Sequence, residues 1–279
     1  MKTLDYVMSL NFVGLSDSKT NNEIVDLLSS YDSKATFFIS GIVAAEDSDL
    51  LQRLDKEGPD IGSNGLNGDA YMEKLPSKEL VNSFVRTNGI INTYIDQKES
   101  TLLYCSATEY TDQVLQAAYA SGNEQVVKSN YVVNYGSFTS YEQVKGYIHK
   151  LPRGAILTVK LEGELEEIEY QPSVTEEDPA KDMQAGIEES EVLEGTKEEK
   201  LVKITEWILR AIQEERIENV LCKDLSAYYD ASLEKDYSNV LQKVGVPAKA
   251  YQSIPNKPGK VGFVFRGISD EGELKTALT

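Results

Sequence analysis

Short apolar, β-prone runs alternate with amphipathic stretches of ten or more residues almost to residue 225, and this alternation constrains the fold more than any other feature. Residues 7–12 read as a strand. Residues 20–30, TNNEIVDLLSS, place Ile24, Val25, Leu27 and Leu28 at helical spacing, with Ser18 or Thr20 as the cap. Residues 34–41, KATFFISG, form a compact run suited to a buried parallel strand. A helix over 47–57 turns Leu50, Leu51 and Leu54 inward and stops at Gly58 and Pro59. A short strand and loop follow at 60–65, then a helix over 77–95 with Ser77 as its cap. Strands at 101–105, 126–134 (one or a pair) and 155–161 alternate with helices at 110–120 and 141–150. A helix over 198–216 carries Leu201, Ile204, Ile208, Leu209 and Ile212 on one face with Trp207 beside them, and 219–225 reads as the last strand. About seven βα units in this length imply a mainly parallel sheet and fit a closed or nearly closed barrel.

One segment breaks the rhythm. Residues 162–199 hold fifteen acids against two lysines, with Pro172 and Pro179, which is the composition of a solvated or disordered insertion. No spaced Asp-x-Asp-x-Asp-Gly loop supports a calcium site there. The tract also supplies most of the net charge of -18, so that charge says little about a binding site. An acidic chain of this kind argues against nucleic acid or an anionic membrane as partner. There is no apolar run long enough for a membrane span, and the N-terminus reads as a strand rather than a signal peptide. On that reading the protein stays inside the cell or its export signal lies elsewhere. Cys105 and Cys222 are too few for a disulfide framework or a zinc site and read as core thiols.

The chain also echoes itself. Residues 9–17 read SLNFVGLSD and residues 262–270 read GFVFRGISD, sharing the form F-x-G-[LI]-S-D without a gap. Between them, residues 226–259 read as a linker with one helix near 233–244 and a PNKPGK connector. Residues 260–279 are expected to be the truncated start of a second unit, its 260–265 strand lacking a barrel of its own. The tandem reading requires the array to continue beyond Thr279.

KATFFISG, then LLQRLDKEGPDIGSNG, then SKELVNSF resembles the polysaccharide deacetylase family, carbohydrate esterase family 4, over residues 5–225. The resemblance implies a distorted (β/α)7 barrel, with the C-terminal extension beginning a second such unit. It also implies metal-dependent removal of N- or O-acetyl groups from peptidoglycan, chitin or xylan. In the family a divalent metal such as zinc is held by one Asp and two His; a second Asp is the base and a late His the acid. The family motif T-F-D-D-G falls on Asn11, Phe12, Val13, Gly14 and Leu15, so the base position holds Val13 and the metal Asp position holds Gly14. Asn64 and Gly68 stand where the two metal histidines would be. Tyr104-Cys105-Ser106-Ala107 replaces the Arg-Pro-Pro-Tyr type motif, and Lys160 stands at the acid position. The single histidine, His149, matches no functional position.

Val and Gly offer no ligand atom, and an Asn amide alone holds no divalent ion against water. Asp17 and Asp69 follow turn residues and read as solvated loop aspartates rather than rescue ligands. No metal cofactor is therefore expected. The reading that follows is an inactive deacetylase-like domain that binds cell-envelope carbohydrate or acts as a scaffold. Asn11, Asn64, Asn67 and Tyr104, with Tyr135 nearby, would line its polar mouth. The alternative is an active deacetylase with a non-standard site, in which Lys160 acts as a base. A third possibility is a structural or regulatory module whose repeated units present one surface twice. The family resemblance places the protein in the cell envelope or outside the cell.

Overall fold

Every residue of β1 (Val7–Val13) is buried, because each of its faces has a core to fill. Met8, Leu10 and Phe12 point to the helical layer and pack with Ile24, Leu28, Leu51, Leu54, Trp207 and Ile208. Ser9, Asn11 and Val13 point the other way, into the barrel, where Val13 joins Phe38, Leu102, Tyr104, Val127 and Cys222. Phe12 stacks on Phe37 of β2 (Thr36–Ile39) with ring centroids 4.8 Å apart. Truncating such a ring costs about 3–5 kcal/mol.

The computed structural model describes residues 2–96, 102–129, 131–163 and 193–230, which fall in one of the two units into which the chain divides, Met1–Glu234. The acidic tract from 164 to 192, the helix expected near 233–244 and the second copy of the opening motif lie outside the described residues.

The remaining strands are β3 (Asp60–Ser63), β4 (Leu103–Tyr104), β5 (Val126–Val127), β6 (Tyr131–Val133), β7 (Ala155–Lys160) and β8 (Glu218–Asn219). All pairings are parallel, in the order β5-β4-β3-β2-β1-β7-β6. β8 pairs with β1 at Val7 and Met8, below the point where β2 joins at Asn11. Only the upper half of β1 therefore pairs with β2, and β8 enters beneath, which distorts the barrel. Among the described residues β5 and β6 are not paired, so the curled sheet stays open at that seam. This is the distorted (β/α)7 barrel expected from the sequence.

The helices are α1 (Ser18–Ser30), α2 (Gly41–Glu46), α3 (Ser48–Glu57), α4 (Ser77–Tyr94), α5 (Asp112–Ala120), α6 (Tyr141–Lys150) and α7 (Lys197–Glu214). α3 runs as expected, capped by Asp47 and closed by Gly58 in the left-handed region. α7 opens on a reciprocal capping box between Thr196 and Glu199. Three expectations shift. The cap of α1 is Asp17, not Ser18 or Thr20. Ser77 is the first residue of α4 and makes no capping bond there, since Pro76 holds the cap position. The expected last strand shrinks to Glu218–Asn219, and Cys222–Tyr228 forms a 3-10 helix instead. That helix drives Cys222 into the barrel, where its backbone N–H donates to Thr36 Oγ1 at 3.3 Å. None of the described helices is long and apolar enough to cross a membrane.

Candidate functional site

The mouth of a parallel barrel lies at the C-terminal ends of its strands, and loop residues there carry its chemistry. β1 ends at Val13, and Gly14 turns the chain with a φ of 75°, a region glycine enters without penalty. Each of the next donors finds a partner within the chain. Gly14 N–H donates to the Phe38 carbonyl at 3.1 Å. Leu15 N–H donates to Glu162 Oε1 at 2.8 Å. Ser16 N–H donates to Asn21 Oδ1 at 2.9 Å, while Asn21 Nδ2 donates back to the Ser16 carbonyl. Asp17 caps α1 by accepting from the Lys19 and Thr20 amides and, at 2.6 Å, from Thr20 Oγ1. The Thr20 hydroxyl, followed by the Thr20 amide, holds the Asp17 carboxyl below its ordinary range. The shared S-D of the opening motif is thus a helix cap, and its Leu15 is a buried core residue.

Glu162, itself exposed, reaches over Gly14. A Cβ at position 14 would lie 3.0 Å from Glu162 Cδ. The carboxylate of Glu162 therefore sits against the position at which the family resemblance expects a metal-binding Asp. Sequence reasoning missed this residue because it opens a long run of acids. Its one distinguishing signal is its place two residues beyond the buried β7.

Across the mouth, Asn64 follows β3 and is 5% exposed. Its backbone N–H donates to the Ile39 carbonyl, but its Oδ1 is buried and has no hydrogen-bond partner among the described residues. Gly68, with φ at 76°, comes back beside it, so a Cβ there would lie 3.2 Å from Asn64 Nδ2. The two positions matched to metal histidines are thus neighbours in space. Lys160 ends β7 in register with Val13 and is 9% exposed.

The other residues expected at the mouth are dispersed. Asn11 is fully buried inside the barrel, accepting from Ser9 Oγ at 2.9 Å and facing Cys222 Sγ at 3.8 Å, so it lies below the mouth. Tyr104 is also interior, its ring 5.4 Å from that of Phe38. Phe38 can lie across the barrel only because β3 has Gly62 opposite, where a Cβ would come within 2.5 Å of its ring. Val13, Phe38 and Tyr104 together form an apolar floor. Asn67 is exposed and donates to Asp69 Oδ2 at 3.1 Å. Tyr135 packs against the outer core with Lys197 Nζ 5.7 Å from its ring centroid. His149 lies at the far end of α6 from the mouth, its Nδ1 3.0 Å from Glu215 Oε2.

Burial pushes the Cys105 thiol up to about 12 and raises that of Cys222, so neither is poised as a nucleophile. Tyr110 locks the β4 loop, its hydroxyl accepting from Cys105 N–H at 2.8 Å and donating to the Val127 carbonyl at 2.9 Å.

Residues 3–126 match the polysaccharide deacetylase family model. The match runs from before β1 to the start of β5, and together with the fold it supports that family. A CE4 family pseudoenzyme from Bacillus anthracis is 13% identical, with 80% of this chain and 66% of that one aligned at a TM-score of 0.60. The peptidoglycan deacetylase PdaC from Bacillus subtilis is 14% identical over 87% of this chain and 99% of that one, TM-score 0.57. A peptidoglycan N-acetylglucosamine deacetylase is 14% identical over 80% and 89%, TM-score 0.58. At these identities the likeness is one of fold. A sequence search of curated proteins finds no match.

The metal of this family is a poor fit to the residues present. Val13, Gly14 and Gly68 carry no ligand atom, and the Glu162 carboxylate already accepts from Leu15. Among the described residues no three His, Cys, Asp or Glu side chains cluster as a metal site would require.

Proposed function

We propose that this chain is a catalytically inactive, deacetylase-like domain that binds cell-envelope carbohydrate such as peptidoglycan, or holds a scaffold position there. One observation carries the reading: at the end of β1 the side-chain space beside Gly14 is taken by the carboxylate of Glu162, over an apolar floor containing Val13. Deacetylation needs a charged metal to polarise the acetyl carbonyl and a base to activate water. Val13, Gly14, Asn64 and Gly68 supply neither. What supports binding is the other half of the mouth, where Asn64 keeps an amide oxygen with unspent acceptor capacity. A mutant of the Bacillus anthracis pseudoenzyme has restored enzymatic activity, so loss of chemistry on this fold is compatible with a retained scaffold.

The test pairs glycan binding with acetate release, using peptidoglycan fragments and chitin oligosaccharides. Saturable binding without acetate release supports the reading. Acetate release that depends on Lys160 would instead establish a non-standard enzyme, for which the nine-tenths burial of that lysine at the mouth is the favouring observation. A flat response on every glycan removes the carbohydrate reading and leaves the scaffold.

A further inference from the structure

Among the described residues, four other than glycine take left-handed backbone: Asp32, Tyr71, Ala107 and Arg216, with φ of 48°, 57°, 44° and 55°. Two of them end helices. Asp32 follows α1, where Ser33 N–H reaches back to the Leu28 carbonyl at 2.9 Å; Arg216 follows α7, where Ile217 N–H reaches the Ile212 carbonyl at 3.0 Å. A left-handed residue is the ordinary way to close a helix with that bond. Tyr71 and Ala107 close no helix. They lie in the loops after β3 and β4, both on the mouth side of the sheet.

Those two loops are stitched together beside the strained positions. Met72 N–H donates to Thr108 Oγ1 at 3.1 Å, Thr108 Oγ1 donates to the Ser106 carbonyl at 2.9 Å, and Glu109 N–H donates to Glu73 Oε2 at 3.2 Å. Met72 is buried and anchors the turn, which continues as a 3-10 helix to Lys74. Lys74 Nζ stands 4.0 Å from the centroid of the half-buried Tyr71 ring. A glycine at 71 would meet the backbone requirement with no strain. What the tyrosine adds is its ring, held in place at the rim. The same loop begins with Asn64, whose buried amide oxygen has no partner among the described residues.

We infer that Tyr71 is a ligand-contacting residue on the rim of the mouth, its ring stacking against the apolar face of a pyranose. The inference rests on the carbohydrate reading above and names the side chain that would carry it. Backbone strain concentrates at sites that a surrounding structure holds for use, and an aromatic ring with a polar tip suits a ligand that is flat and apolar on its faces and hydroxylated at its edges.

Chitin oligosaccharides and soluble peptidoglycan fragments, titrated by calorimetry against the full chain, test it with two variants. Tyr71→Phe keeps the ring and is expected to bind within a few-fold of the parent. Tyr71→Gly removes the ring and the strain, and is expected to weaken binding by about tenfold or more while its Tm stays level or rises. If the parent binds and Tyr71→Gly binds equally well, the inference is overturned and the carbohydrate reading stands. A lowered Tm for Tyr71→Gly with unchanged affinity likewise makes the ring a structural prop. A parent that binds none of these glycans overturns the carbohydrate reading and this inference with it.

Discussion

The two sides of the mouth differ in what they leave unsatisfied. On the β1 side, the Gly14, Leu15 and Ser16 amides and the start of α1 are all met by the chain's own groups: the Phe38 carbonyl, Glu162, Asn21 and Asp17. On the β3 side, Asn64 Oδ1 has no partner among the described residues and Tyr71 holds a left-handed backbone that no helix end demands. Buried polar groups are normally paired, so an orphan acceptor is worth explaining where it occurs. The contrast teaches that the side matched to the family's base and metal Asp is closed on itself. The side matched to its histidines keeps one buried acceptor without a partner among the described residues.

The sharpest way to break the contrast is to open the closed side. Asn21 is fully buried and bridges both the N–H and the C=O of Ser16. Asn21→Ala is expected to destabilise the protein by about 2–3 kcal/mol, since it strands two backbone groups, as chemical denaturation would measure. A smaller loss is expected for Gly14→Asp, about 1–2 kcal/mol, because a side chain there must adopt a φ of 75° and displace Glu162. That substitution restores only one ligand and is not expected to bring zinc binding, which metal analysis checks. Combining it with Glu162→Ala relieves the contact but not the backbone strain.

Asp17→Ala is expected to cost about 1 kcal/mol, the ordinary value of a helix cap. Because the folded carboxyl is held below its ordinary range, its contribution is present above the unfolded carboxylate pKa and fades as pH falls through the lower folded one. The variant should therefore differ most from its parent near neutral pH and converge with it in acid. Glu214, held down to about 2 chiefly by the hydrogen bond from Lys145 and also by that from Arg210, follows the same sign, losing its contribution between its ordinary 4.5 and about 2. The smallest effect is expected on the open side. Asn64→Leu removes an orphan amide and should change stability by less than about 1 kcal/mol, with a gain as readily as a loss. A large loss there would show that Asn64 is as fully engaged as the β1 loop.

The alternation of strands and helices was legible because it follows from periodicity, and the end of α3 was legible because Gly58 and Pro59 both stop a helix, while Asp47, read as its first residue, is its cap. α2 was not, since the six residues GIVAAE are too few to show a period. The cap of α1 was misplaced because Asp17, Ser18 and Thr20 can all cap, and only the extended backbone of Asp17 decides among them. Asn11 and Tyr104 could be placed on strands from the sequence, but not Asn11 on the inward face below an apolar floor of which Tyr104 is itself a part. That requires the register of β1 against β2 and β7. Tyr71 carried no signal at all: nothing in the residue type announces a left-handed tyrosine. Glu162 was hidden by the company it keeps.

The most direct measurement is acetate release from N-acetylated chitin oligosaccharides and peptidoglycan fragments by the purified full chain, with zinc supplied and zinc content measured on the same sample. The account predicts no acetate above the protein-free control and no stoichiometric zinc. Sustained acetate release by a protein carrying one zinc per chain would contradict it.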